Sequence, residues 1–164
     1  MKARDPAISS ESPPGGLLGR VAFFVGAIGL VLATATDSLA VIGRHTGVTF
    51  LGSIEIVQSA VVLAASGAII TATLARSHAA VHILTEKLAP IAAKRLASGA
   101  AALSALMFLA VALGSGWLLI EGWNGHERTE LLLIPFRWLR LVWTGASLVV
   151  AILFAAQALR MRSR

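Results

Sequence analysis

The chain has 164 residues, 57% of them hydrophobic and only 13% charged, with a net charge of +6 and no cysteine. A water-soluble domain covers its surface with roughly 25% charged residues, so this composition excludes one. The missing cysteines exclude disulfides, thiolate metal centres and cysteine nucleophiles.

Residues 1–16, MKARDPAISSESPPGG, are polar and rich in Pro, Gly and Ser, the composition of a disordered tail. Four apolar blocks follow, at about 18–42, 53–75, 96–120 and 139–159. Each supplies the roughly 20 residues that a helix needs to cross a hydrocarbon core about 30 Å thick. The predicted fold is therefore all-α: a polytopic membrane protein with four transmembrane helices in one domain, 17–164. The first block is longer than the about 7–15 apolar residues of a secretory signal, so it is expected to be a retained helix.

Between the second and third blocks runs RSHAAVHILTEKLAP, residues 76–90. Val81, Leu84, Leu88 and Ile91 recur at helical spacing and form one stripe, while His82, Glu86 and Lys87 turn to other faces. This pattern predicts a short amphipathic helix at about 79–89, lying in the membrane interface and ended by Pro90. His78 and His82 are spaced to share a metal ion, but Glu86 is the sole further candidate ligand, so no metal is expected.

Charge sets the orientation. Lys2, Arg4, Arg20, Arg76, Lys87, Lys94, Arg95, Arg160, Arg162 and Arg164 fall on one side of the four spans. Arg44, Arg128, Arg137 and Arg140 fall on the other. Positive residues near span ends stay cytoplasmic, which puts both termini inside. All four tryptophans, Trp117, Trp123, Trp138 and Trp143, flank the second outer loop, as interface anchors in the headgroup layer would. Arginines at membrane edges account for the basic balance without a nucleic-acid partner; the lipid bilayer is the partner it implies.

Ionisable groups near the spans lie toward the outer third: Asp37, Arg44, Glu55, Glu121, and the loop residues Glu127, Arg128 and Glu130. Glu55 and Gln58 stand one turn apart at the start of the second span. Ion pairing between helix ends, such as Arg44 with Glu55 or Asp37, is the expected role. No charge occupies the middle of a span, where a proton-coupled carrier needs one. The middles instead hold Gly26, Gly29, Ala33, Ala64, Gly67, Ala68, Thr71, Gly99, Ala102, Gly114 and Gly116, small residues that let helices approach closely. No paired Gly or Pro interruption marks a broken transport helix. All four histidines sit in loops or at their edges, which excludes axial haem ligation within the spans. No nucleophile elbow or phosphate loop is present. Neither catalysis nor a cofactor is predicted.

Three segments carry a family likeness: GRHTGVTFLGSIEIVQS (43–59), ARSHAAVHIL (75–84) and TELLLIPFRWLRLVW (129–143). Together they resemble the small membrane subunit of tripartite ATP-independent periplasmic (TRAP) transporters, the DctQ-like family. The arginine that ends span one and the acidic residue that opens span two are matched by Arg44 and Glu55. The arginine leading into a histidine segment is matched by Arg76 and His78. The short apolar run ending in proline is matched by Leu132, Leu133, Ile134 and Pro135. One position departs: His82 stands where the family usually has an aspartate.

The resemblance implies a scaffold in the bacterial inner membrane. It would support a large permease subunit that takes up organic acid anions with a sodium gradient, served by a periplasmic substrate-binding protein. Arg44, Glu55, Gln58, Arg76 and His78 would then fix helix or subunit geometry. A self-contained small multidrug-type exporter coupled to protons through Asp37 is the alternative, and an anchor subunit of a respiratory complex is a third reading.

Overall fold

The computed structural model describes residues 16–75, 90–125 and 127–163. Four helices make up most of them: α1 (Gly16–Thr46), α2 (Ser53–Leu74), α3 (Pro90–Glu121) and α4 (Phe136–Ser163). All four are long and apolar enough to cross a membrane. No strand forms among the described residues; a lone antiparallel bridge joins Arg128 to Pro135.

At 1.5 Å per residue α2 is about 33 Å long, close to the hydrocarbon thickness, and the other three are about 42–48 Å. Those three run past their apolar blocks into more polar sequence. Pro90 opens α3, where its fixed φ and missing N–H suit the first turn. Lys94 and Arg95 consequently lie on α3 rather than before it. The segment 76–89, with the amphipathic helix expected at 79–89, lies outside the described residues.

The helices form a row rather than a closed bundle: α1 packs on α2, α2 on α4, and α4 on α3. The α1–α2 seam is built from small side chains. Gly19, Ala22, Gly29, Thr36, Ala40 and Gly43 are buried on α1, with Gly26 and Ala33 half-buried between them. Their spacing alternates between three and four, the seven-residue repeat of helices that wind around each other left-handed. Facing them on α2 are Ala60, Ala64 and Gly67. A methyl added at Gly29 would sit 2.5 Å from the Ala64 amide nitrogen and 2.7 Å from the Ala60 carbonyl. A methyl at Gly67 would collide with the Ala22 carbonyl oxygen and the backbone of Gly26. In lipid, helices gain no hydrophobic drive toward one another, so this backbone proximity and its dispersion energy hold the pair.

The second seam, α2 on α4, is apolar at its middle and polar at its ends. Val150 and Phe154 of α4 pack with Ile69 and Ile70 of α2, and with Ala101, Ala105 and Phe108 of α3. The Phe108 and Phe154 rings stack with centroids 5.9 Å apart. At one end the Gln157 side-chain amide donates to the Thr73 carbonyl at 3.3 Å. At the other end lies the connection between α3 and α4.

Outside these seams the helices are bare. No more than 28% of the most apolar window of any helix is buried, and in α3 only 11% is. Leu30, Val31, Leu103, Leu106, Met107 and Leu113 are each more than three-fifths exposed. Such faces are stable against lipid or another membrane protein, not against water.

The glycines predicted to serve close approach differ in what they meet, and a methyl at Gly116 would make an ordinary contact with Thr144 of α4 at 3.7 Å. Gly26, Gly29 and Gly67 are in the α1–α2 seam, whereas Gly99 and Gly114 of α3 have no neighbour within 4 Å of an added methyl. Gly29→Val should therefore destabilise the chain by about 1–3 kcal/mol through overpacking. Gly114→Ala should leave stability in detergent unchanged. Denaturant titration of the two purified variants checks the contrast.

Candidate functional site

The chain crosses from α3 to α4 by folding a hook over the start of α2. Its frame is a short ladder: the Thr129 N–H donates to the Ile134 carbonyl at 3.0 Å, and the Phe136 N–H to the Glu127 carbonyl at 3.2 Å. The Ile134 N–H donates to the Thr129 hydroxyl oxygen at 2.9 Å. Closing so tight a loop places Leu133 at φ 55, a left-handed conformation that a leucine adopts only under constraint.

The constraint comes from Glu55, in the first turn of α2 and buried. Its Oε1 accepts the Leu131 N–H and its Oε2 the Leu132 N–H, both at 2.8 Å. The Glu130 N–H and the Thr129 hydroxyl also donate to this carboxylate. Three successive amides converging on one anion make a backbone nest, here filled by the chain's own side chain. The positive end of the α2 dipole adds to the attraction. Gly52, with φ 84, leaves room for the Leu132 side chain, which lies 3.0 Å from where a methyl would be. The same glycine carbonyl accepts the Glu55 and Ile56 N–H groups and starts the helix.

A second tie lies at the end of α3. Arg140, on α4, forms an ion pair with Glu127 at 2.8 Å and donates to the Leu118 carbonyl at 3.3 Å. That carbonyl belongs to the last turn of α3, where a cation complements the helix dipole. A methyl at Gly122 would meet the Arg140 guanidinium at 2.6 Å, so the arginine would have to shift. The Arg137 guanidinium lies 5.6 Å from the centre of the Trp138 ring, within cation–π range.

Between the hook, the end of α1 and the start of α2 opens a cleft of about 630 Å³. Arg44, Glu55 and Gln58, predicted from sequence, all line it, with Arg128, Thr129 and Phe136. Their roles differ from the expected pairing. Arg44 lies in the last turn of α1, exposed, and forms no ion pair with Glu55 or Asp37 within the described residues. The hook amides have taken the carboxylate instead. Gln58 is exposed on the cleft wall. Arg76 and His78 lie outside the described residues.

Asp37 is exposed on α1, more than two turns before its end. Trp117 and Trp138 are more than half exposed, Trp123 is 44% exposed and Trp143 is half-buried, all at the hook end of the molecule. Among the described residues no three His, Cys, Asp or Glu side chains converge as a metal set would.

The residues that sequence reasoning missed are those whose function is carried by backbone: the amides of Glu130, Leu131 and Leu132. A signal was present in TELLLIP, an apolar run too short to span a membrane and closed by proline. Glu55→Gln replaces one acceptor oxygen by a donor that faces amide donors. Amide hydrogen exchange at Leu131 and Leu132 should then accelerate by a factor of about ten or more, with exchange in the α1–α2 seam unchanged.

Residues 31–164 match the family of tripartite ATP-independent periplasmic transporters, DctQ component. Comparison with curated proteins and with solved structures gives no match.

Proposed function

We propose that this chain, which belongs to the DctQ family of TRAP transporter components, is the small scaffold subunit that braces a large permease in the bacterial inner membrane. In this reading the hook end faces the periplasm and both termini face the cytoplasm. The permease carries the substrate and sodium sites and takes up organic acid anions, supplied by a periplasmic binding protein. Trp117, Trp123, Trp138 and Trp143 hold the hook end in the headgroup layer.

One observation carries the reading: Glu55, the buried carboxylate among the described residues, has both oxygens engaged by the chain's own amides. A coupling carboxylate must take up and release an ion in each cycle, and this one is committed to holding a loop. The spans carry no other buried charge among the described residues. Asp37, exposed and without an ion pair among the described residues, is costly against lipid and favours cover by a partner. The bare face of α3 supports the same conclusion.

Three measurements test it. The chain should co-purify with the large permease as a stable complex, and deleting it should abolish uptake while the permease remains in the membrane. Reconstituted alone in liposomes, it should move no organic anion under a sodium or proton gradient. Proton-linked flux by the chain alone, lost in Asp37→Asn, would establish the exporter reading instead.

A further inference from the structure

We infer that the end of the molecule opposite the hook holds one anionic phospholipid, its acyl chain in the groove between α3 and α4 and its phosphate at Lys94 and Arg95. The inference rests on the membrane-spanning fold and does not depend on the scaffold reading.

Two adjoining cavities make the site. The first is a groove of about 510 Å³ along the α3–α4 pair, with walls that include Ala102, Leu106, Leu109, Ile152, Ala155 and Leu159. Its lining is almost wholly apolar, and Leu106, Ile152 and Leu159 are each more than half exposed at its mouth. The second is a cleft of about 600 Å³ lined by Ile91, Lys94, Arg95, Ser98 and Met161. Ser98 is one turn before Ala102, and Met161 is two residues past Leu159 at the end of the groove on α4, so the two run together. The Ser98 hydroxyl, which donates to the Ala158 carbonyl at 3.3 Å, marks the boundary between them.

Length and charge select the occupant. From Leu148 to Leu159 the groove runs about 16 Å along α4. That is half of a hydrocarbon core of about 30 Å, the depth of one leaflet. An acyl chain of one leaflet likewise ends at the midplane. At the open end Lys94 and Arg95 are both exposed, and neither has a carboxylate partner among the described residues. Two cations beside an apolar slot in the headgroup layer complement a phosphodiester with negative net charge. A zwitterionic lipid would bring its own ammonium against them.

The test uses the full chain in nanodiscs of phosphatidylcholine containing a minor fraction of phosphatidylglycerol, followed by release into detergent and native mass spectrometry. The wild-type chain should retain one phosphatidylglycerol in preference to phosphatidylcholine. Lys94→Gln/Arg95→Gln should lower that retention about thirtyfold, since each basic residue at an anionic surface is worth about fivefold. Ala155→Phe, which fills the groove from its exposed side, should remove the lipid while leaving both basic residues in place. Equal retention of the two lipids, or retention unchanged in the double variant, would overturn the inference. Displacement by millimolar inorganic phosphate would also overturn it, because it would mark a site for the anion alone. So would loss of the lipid on assembly with the large permease, because the groove would then be a protein seat.

Discussion

The carboxylate of Glu55 joins two halves of a chain that otherwise meet along a single seam. α1 and α2 form one antiparallel pair, α3 and α4 the other, and between the pairs the extensive contact is α2 on α4. Apolar packing in lipid resists separation of that seam but permits sliding and rotation, because lipid tails replace lost contacts at little cost. Directional bonds do not permit it. Glu55 at one end of α2 and Thr73 at the other bond across to the α3–α4 half, one to the hook and one to Gln157. The two lie about 27 Å apart along the helix, close to the thickness of the hydrocarbon layer. Polar fasteners thus sit near the two faces, with Ile69, Ile70, Val150 and Phe154 between them. Where water and headgroups compete, the chain uses geometry; where nothing competes, it uses contact area.

A row of four helices has a consequence that a closed bundle lacks. The outer members, α1 and α3, each have one extensive neighbour and leave broad apolar faces outside. α1 is bound by backbone proximity, with glycine and alanine along its seam, and this holds it rigidly without bulky side chains. α3 is bound by larger side chains around Phe108 and leaves Gly99 and Gly114 bare. The molecule is therefore a broad, thin plate, stiffened at both ends of its central seam. Such a shape adds width to whatever it joins, at the expense of any enclosed interior in which a substrate could be held.

Much of this was legible in the sequence, because lipid imposes a one-dimensional rule: a span must be a long apolar run. The four blocks and the small residues of the α1–α2 seam follow from it. Helix ends were less legible. Hydropathy stops at the membrane, but backbone hydrogen bonding continues, so α3 begins at Pro90 rather than near Leu96. Glu55 stands out in the sequence as a polar residue at the mouth of α2, but the partners that the sequence suggests for it are cations. Charge pairs are visible in a sequence as letters of opposite sign; amides are not, since every residue but proline carries one. Arg44 reaches the same cleft and still loses the carboxylate to three convergent N–H groups. Gly99 and Gly114 show the converse limit. A small residue permits close approach without specifying that anything approaches.

The left-handed Leu133 shows what kind of surface the hook presents. A leucine in that region costs about 1–3 kcal/mol, a strain that persists only where neighbours over-determine it. Here the ladder from Glu127 to Phe136 closes one side and the Glu55 nest the other. The hook is thereby fixed before anything meets it, although it is a loop by position. Leu131, Leu132 and Leu133 remain between 42% and 59% exposed on it, held at the end of the molecule where the tryptophans lie. Flexible apolar residues at that boundary would bury themselves in lipid, and a partner would have to order them first. Leucines locked on a bonded frame need no such ordering, so the ordering cost of meeting another surface has already been met within the fold.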